Sequence, residues 1–376
     1  MPLGIALSTT ILGETLRMRS KPRRILIVRP SALGDVCRTV PLAWSLREAF
    51  PKATVDWVVE DRWMGAVQGH PAVDRIIEFP KREFRRWWRS LPVAVRALQW
   101  FTKLRRGRYD LVIDAQGLAR SGLMALATGA STRVGHQGSR EFAWLGANRR
   151  VPRHPDAHVV DAMLELVAAV GAPARADMRL EVSVAGQREW QTARERAAIR
   201  PRMLLLATTN GWEGKRWIDE RWGALLHGTR AELLASGVHD VVLTGAPGEE
   251  PQTAPIADLL RQISGLRIHD MTGRLSVAAT VAAVRDAALL IGLDSAPIHM
   301  AAGLGTPFVG LYGATRPWID GPYGGAAWCV HGGAGLELDL HAHRDAGRGA
   351  SVMERISVEA VAALVRRRLQ SAEVAA

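Results

Sequence analysis

Residues 289–307 read Leu-Leu-Ile-Gly-Leu-Asp-Ser-Ala-Pro-Ile-His-Met-Ala-Ala-Gly-Leu-Gly-Thr-Pro, and they constrain the fold more than any other stretch of the chain. Leu289, Leu290 and Ile291 make a short apolar run of the kind that forms a buried parallel strand. The run stops at Asp294 and Ser295, both good helix N-cap residues, and Pro297 stands where a first-turn proline is tolerated. A helix of small residues follows, with His299, Ala301 and Ala302 near its start. A strand that runs into a capped helix leaves free first-turn N–H groups over the carboxyl edge of a sheet, where an anion is favoured. The small helix face admits a ligand as bulky as a nucleoside diphosphate. Capped strand–helix units also occur without ligands, but the density of Ser295, Pro297, His299, Gly303 and Pro307 favours a site.

The same alternation runs through the chain. Strands are expected at 24–29, 54–59, 75–79, 111–114 and 133–136, with helices at 34–49, 61–69, 85–106 (broken near Pro92), 119–128 and 158–170. Gly171-Ala172-Pro173 closes that series, and a break is expected over 171–184. A polar helix at 187–198 leads into strands at 203–207, 240–244, near Ile268, 289–292 and 308–311. Helices are expected between them at 220–236, 254–263, 277–285 and 297–303, then a loop over 331–350 and a terminal helix over 356–369. The βαβα order argues for parallel, doubly wound sheets. The expected organisation is an extension over 1–22 (with Met18 a candidate true start), Rossmann-like domains over 23–180 and 185–350, and a terminal helix and tail over 351–376. Two such domains place ligands in a cleft between facing carboxyl edges.

A chain of 376 residues with 48% hydrophobic content has material for two cores. No apolar run reaches the roughly 18–20 residues needed to span a bilayer. The mildly apolar start precedes its basic residues, which is the reverse of a secretory signal. Cys37 and Cys329 are the only cysteines, so no disulfide framework is expected and a cytosolic location fits. The net charge of +12 asks for an anionic partner. Residues 81–108 hold ten Lys and Arg against the single acid Glu83, interleaved with Trp87, Trp88, Trp100 and Phe101.

Four strand-end loops carry the candidate chemistry. Arg29-Pro30-Ser31-Ala32-Leu33-Gly34-Asp35-Val36 follows the first strand, and Asp35 at a helix start is a candidate general base for an acceptor hydroxyl. The competing reading makes Asp35 a helix-capping acid. The loop lacks Gly-x-Gly-x-x-Gly and is not a P-loop. Thr208, Thr209 and Lys215, in the loop after the first strand of the second half, suit phosphate oxygens, with Trp217 as a hydrophobic anchor. Glu249 or Glu250, after Thr244-Gly245, would accept hydrogen bonds from ribose hydroxyls; a plain surface turn explains that segment equally well. Gln116 and Arg120 after the fourth strand face the same cleft as Asp35, and Arg140 in Ser139-Arg140-Glu141 adds a second guanidinium for an anionic acceptor. No zinc-type spacing and no Asp-x-Asp pair is present, so no metal and no cofactor are expected; a metal site at His331, His341 and His343 is not supported.

Together these loops resemble glycosyltransferase family nine, the bacterial heptosyltransferases. Ser31–Asp35 matches the N-terminal signature of that family, and Lys215-Arg216-Trp217 matches its Lys-x-Trp segment. Asp294-Ser295-Ala296-Pro297-Ile298-His299-Met300-Ala301-Ala302 matches its Asp-Ser/Thr-x-x-x-His-x-Ala-Ala signature. Residues 310–315 and Gly321-Pro322-Tyr323-Gly324 match its closing turn. The stretch 114–120, followed by Ser139-Arg140-Glu141, is most similar to the members that add the first heptose to the Kdo region of lipopolysaccharide. The resemblance implies a GT-B fold, with the acceptor on the N-terminal domain, ADP-heptose on the C-terminal domain, and inversion at the anomeric carbon without an essential metal. It implies Asp35 as base, with Thr208, Thr209, Lys215, Asp294, Ser295, Ala296 and His299 around the diphosphate. Glu249 or Glu250 would meet the ribose, and Ser31, Gln116, Arg120 and Arg140 the acceptor. It places the enzyme at the cytoplasmic face of the inner membrane, in peripheral contact with it, acting on an anionic lipid-linked glycan; residues 81–108 would face the membrane or the acceptor phosphates, and a solvated basic helix with its Trp residues packed inward explains that segment equally well. The chain departs from the pattern in a longer Thr-Thr to Lys loop, in Ile218 where the family has Pro, and in the absence of cysteines over 331–349. Two other readings compete: a transferase or epimerase using another nucleotide sugar, and a nucleic-acid binder built on the basic segment, which leaves the phosphate-type loops unexplained.

Overall fold

The computed structural model describes residues 21–333, 335 and 344–374. The expected extension over 1–22 lies almost wholly outside them, as do His341 and His343. Among the described residues, twelve strands form two six-stranded sheets. The first contains β1 (Arg24–Val28), β2 (Thr54–Glu60), β3 (Arg75–Phe79), β4 (Leu111–Asp114), β5 (Thr132–His136) and β6 (Arg149–Val151) in the order β3-β2-β1-β4-β5-β6. The second contains β7 (Met203–Ala207), β8 (Asp240–Leu243), β9 (Arg267–Asp270), β10 (Ala287–Leu293), β11 (Phe308–Tyr312) and β12 (Cys329–His331) in the order β12-β11-β10-β7-β8-β9. Every pairing is parallel. Both sheets therefore have the same doubly wound order, and each reverses direction once: between β1 and β4, and between β7 and β10. Strands β7, β8 and β11 are buried throughout, as the unbroken apolar runs require.

The two lobes touch. Helix Leu33–Arg38 lies on helix Ala296–Leu304, and a Cβ added at Gly34 would stand 2.9 Å from the His299 ring. A Cβ at Gly65 would stand 2.7 Å from the Ala278 backbone nitrogen, so a second glycine allows the turn Asp61–Ala66 to meet helix Val277–Asp286. Tyr323 donates to Asp161 across the divide at 2.6 Å, and the His158 ring lies 3.2 Å from the Gly321 carbonyl.

Several expectations are corrected. The helix read over 34–49 is two helices, Leu33–Arg38 and Val40–Ala49, because Pro41 lacks the N–H that a continuous helix would use and instead sits in the first turn of the second. In the basic segment the break falls over residues 85–90, and Pro92 opens the long helix Leu91–Arg106 instead of interrupting it. Strand β6, an Arg-Arg-Val edge strand, carries no apolar signal. The region read as a loop over 331–350 contains helix Ala346–Met353, capped by the Asp345 side chain. Its Gly349 rests on Gly214, where an added Cβ would come within 2.5 Å, so this helix braces the Lys215 loop. The terminal helix Val358–Val374 packs on helix Asp219–Ala235.

The turn Ala143–Gly146 docks on helix Ala119–Thr128 through a reciprocal glycine contact: a Cβ at Gly146 would lie 2.2 Å from the Gly122 carbonyl oxygen. The segment leading into this turn sets Ser139 beside Gly117 and Glu141 on the Ala119 N–H. Gly146→Val should therefore destabilise the first lobe by about 2 kcal/mol or more, read as a lowered midpoint in urea; an unchanged midpoint would show that the contact can relax.

Candidate functional site

Four of the candidate loops leave the sheets at the carboxyl ends of β1, β4, β7 and β10, the four strands that flank the two reversals, and the loop with Glu249 and Glu250 follows β8 beside them. Those are the positions where doubly wound folds bind ligands, because the chain departs there to opposite sides and opens a crevice. The lobe contact at Gly34 and His299 brings all four loops to one place.

On the first lobe, Asp35 is the third residue of its helix. Arg29 Nη2 reaches its carboxylate at 2.9 Å, Arg38 pairs with the other oxygen, and the Ala32 N–H donates at 3.2 Å. Asp35 thus does both things that the sequence allows: it caps the helix and it stands at the cleft. Burial would raise its pKa, but the Arg29 and Arg38 guanidiniums and the hydrogen bonds outweigh burial and hold it far below the usual carboxylate range. Arg38 also donates to the Asp320 carbonyl of the second lobe at 2.5 Å, so the guanidinium that clamps Asp35 ties the lobes together. Nearby, the Ser31 N–H donates to Gln116 Oε1 at 3.1 Å, and Arg120 Nη2 lies 3.5 Å from Ser31 Oγ. Arg140 does not join them: its side chain is exposed and without a partner among the described residues, although Ser139 Oγ would be 3.2 Å from a Cβ at Gly117 and Glu141 accepts from the Ala119 N–H at 3.2 Å. The segment reaches the site; the guanidinium is turned to solvent.

On the second lobe, Lys215 Nζ meets Asp294 Oδ2 at 2.5 Å, and Thr315 Oγ1 donates to the same oxygen at 2.6 Å. Burial raises the Asp294 pKa, but Lys215 and Thr315 outweigh it and keep the carboxylate ionised. The lysine expected to meet phosphate oxygens is therefore half of a charge pair within the protein. Asn210 Nδ2 donates to the Asp294 carbonyl at 2.8 Å and fixes the end of β10. Ser295 is the N-cap of helix Ala296–Leu304 by position, yet its hydroxyl makes no capping bond, which corrects the expectation of a strong side-chain cap. Ser295 Oγ is instead buried without a partner among the described residues, and so are Thr208 Oγ1 and His299 Nδ1. Buried polar atoms without partners are costly in a closed protein and ordinary in a site that a polar ligand fills. His299 is 3% exposed, and burial with the nearby Arg38 charge pushes its pKa down to about 3, so it is neutral at physiological pH. Ala296 opens the helix, with its Cα 3.6 Å from the position of a Gly34 Cβ.

Thr209 is buried beside Gly245. Glu249 accepts from the Ala246 N–H at 2.8 Å and lies on the Thr209 side of that glycine, whereas Glu250 points toward Gly273. Trp217 is buried, donates to the Ile356 carbonyl at 3.0 Å and packs edge-on against Trp222. Arg29, Arg38, Asn210 and Thr315 were not among the sequence-based candidates. Arg29 was visible as the basic residue directly after β1, and Arg38 stands three residues after Asp35, the spacing at which helical side chains meet. Among the described residues no cluster of three or more His, Cys, Asp and Glu could hold a metal ion.

The lipopolysaccharide heptosyltransferase 1 of Escherichia coli K12 is 30% identical to this chain over 304 residues, 80% of this chain and 91% of that protein. The enzyme of the same name from Pseudomonas aeruginosa PAO1 is 30% identical over 311 residues, 80% and 81% of the two chains. Among solved structures, the Veillonella parvula family 9 glycosyl transferase superposes with a TM-score of 0.78 at 20% identity, covering 94% of this chain and 99% of that one. The E. coli heptosyltransferase WaaC with ADP gives 0.71 at 24% identity, covering 92% and 99%. These similarities place the two lobes in the GT-B architecture. The profile of glycosyltransferase family 9 (heptosyltransferase) matches residues 97–343. The chain belongs to glycosyltransferase family 9, the heptosyltransferases.

Proposed function

We infer that this protein transfers heptose from ADP-heptose to a hydroxyl of the lipopolysaccharide inner core, on an acceptor of the Kdo-lipid A type. The observation that carries the reading is the convergence, at one lobe junction, of an ionised carboxylate and an anion-ready helix N-terminus in a family 9 chain. The relatives named above bear the name of lipopolysaccharide heptosyltransferase 1 and one solved relative holds ADP. The donor diphosphate would lie over helix Ala296–Leu304, with Ser295, Thr208 and the first-turn N–H groups satisfying its oxygens. Lys215, Thr209 and Asp294 frame it, and Glu249, on the Thr209 side of Gly245, is the better placed acid for the ribose.

Asp35 acts as the base. It takes the acceptor proton as the C1–O bond of the donor breaks, inverting the anomeric carbon, and Lys215 with the helix N-terminus stabilises the departing diphosphate without a metal. A carboxylate held by two guanidiniums is a weak base until one of them turns to another anion. The acceptor supplies that anion: its carboxylates and phosphates would dock at Arg120, Ser31 and Gln116, next to Arg29. Lobe closure excludes water and limits donor hydrolysis. No helix among the described residues is long and apolar enough to cross a membrane. The lipid-linked acceptor would be met at the cytoplasmic face of the inner membrane by peripheral contact.

The direct test is incubation with ADP-heptose and Kdo-lipid A, reading the mass of one added heptose; transfer from a UDP- or GDP-sugar in its place would redirect the donor assignment. Asp35→Asn should lower turnover by about a hundredfold or more while ADP still binds, and near-normal turnover would remove Asp35 from the mechanism. Lys215→Ala should weaken ADP binding by about tenfold, because Asp294 is then left bare beside the diphosphate; an unchanged titration would refute that placement. Arg38→Gln removes one of the two charges that depress Asp35. The acid limb of the pH–rate profile should then move to higher pH, by about one unit or more, and an unshifted limb would show that Arg38 does not set the basicity of Asp35.

A further inference from the structure

The first lobe carries an unusual surface. Helices Leu91–Arg106 and Ala119–Thr128 cover the same face of its sheet: Leu104 of one and Met124 and Ala125 of the other share a core with Leu26, Val28 and Val112. Their opposite sides expose large apolar residues among the polar ones. Trp87, Trp88, Leu91, Val95 and Leu98 are exposed on the first helix and the turn before it. Leu123 and Leu126 are exposed on the second helix, and Phe142 and Leu145 on the turn docked against it. Nine of the thirteen large hydrophobic side chains exposed among the described residues therefore belong to this one layer. Leu91, Val95 and Leu98 follow the i, i+4, i+7 spacing of a single helical stripe, and Leu98 is 68% exposed.

A clustered apolar surface of this kind marks an interaction site, and its charge says which kind. Arg82, Arg85, Arg86 and Arg89 line a groove of about 550 Å³ with Trp88. None of the four has a carboxylate partner among the described residues. Arg105 and Arg106 lie at the far end of the stripe. A second copy on this face would set two arginine groups against each other, which like-charge repulsion opposes. A nucleic acid would use the arginines but not the aliphatic stripe, since its bases stack on aromatic rings. An anionic bilayer uses both: acyl chains take the leucines and valine, the tryptophans sit at the headgroup level, and the arginines meet lipid phosphates.

We propose that the outer side of these two helices is a membrane-docking face that lays the first lobe on an anionic lipid surface. The face adjoins the acceptor side of the cleft. The Phe79 ring packs against Phe84 and Trp100 of the basic segment and carries the Arg120 guanidinium at 5.5 Å. A glycan rising from the bilayer beside this face has a short path to Arg120. The proposal rests on the heptosyltransferase reading only for the choice of a lipid surface as occupant.

The test is co-sedimentation with vesicles of phosphatidylethanolamine and phosphatidylglycerol, against vesicles of phosphatidylcholine, for the full chain and for the double variants Leu91→Ser/Leu98→Ser and Leu123→Ser/Leu126→Ser. These side chains are exposed, so circular dichroism should show both variants folded. The parent should bind the anionic vesicles preferentially. Each double variant should lose about tenfold or more of that binding while keeping the parent rate of transfer to a lipid-free Kdo oligosaccharide. Equal binding to both vesicle types, undiminished binding of the folded variants, or a dimer in sedimentation that Leu98→Ser dissociates would overturn the docking face. Vesicle binding as expected without heptose transfer to either acceptor would sustain the face and refute the enzymatic reading.

Discussion

Gly34 lies on the ring of His299, and the rest of the site depends on that contact. A side chain at position 34 would push helix Leu33–Arg38 away from helix Ala296–Leu304. Without one, the loops that end β1 and β4 face the loops that end β7 and β10 at close range. Each sheet alone would offer an ordinary switch-point crevice. Joined this way they offer one compartment whose two walls differ in character. The first wall is an acid held between guanidiniums; the second is a helix terminus with buried hydroxyls that no described residue satisfies.

The electrostatics of this compartment is balanced by pairs. Asp35 faces Arg29 and Arg38, and Lys215 faces Asp294. The cationic partners hold both carboxylates ionised in a buried setting, where a lone charge would be expensive. A ligand with several negative oxygens can exchange with either pair, because it offers guanidinium and ammonium groups an alternative partner at little cost in charge. Arg38 links the two walls, since the group that restrains Asp35 also holds the Asp320 carbonyl.

Much of this architecture was legible in the sequence, for a physical reason. Strands such as Met203–Ala207 and Leu111–Asp114 are buried on both faces and read as continuous apolar runs, so they stood out. The loops that leave them carry Gly, Ser, Thr and Asp at fixed offsets, which located the site. Features set by long-range geometry were not legible. Strand β6 is too short and too polar to show. The bracing of Gly214 by Gly349 joins positions far apart in the chain, and the pairing of Lys215 with Asp294 needs both loops in place. The stripe on helix Leu91–Arg106 was legible only in part: its arginines and tryptophans suit a membrane interface and a solvated basic helix with inward-packed rings equally well, and apolar spacing along a helix says that a face is covered, not by what.

The most direct test of the central claim, that the four strand-end loops form one donor–acceptor compartment, is a crystal structure with ADP. The account predicts the diphosphate over the N-terminus of helix Ala296–Leu304, within hydrogen-bond distance of Ser295 Oγ and Thr208 Oγ1, with its terminal phosphate toward Asp35. ADP held instead in the arginine groove around Trp88, or with its phosphates turned away from the lobe junction, would contradict it.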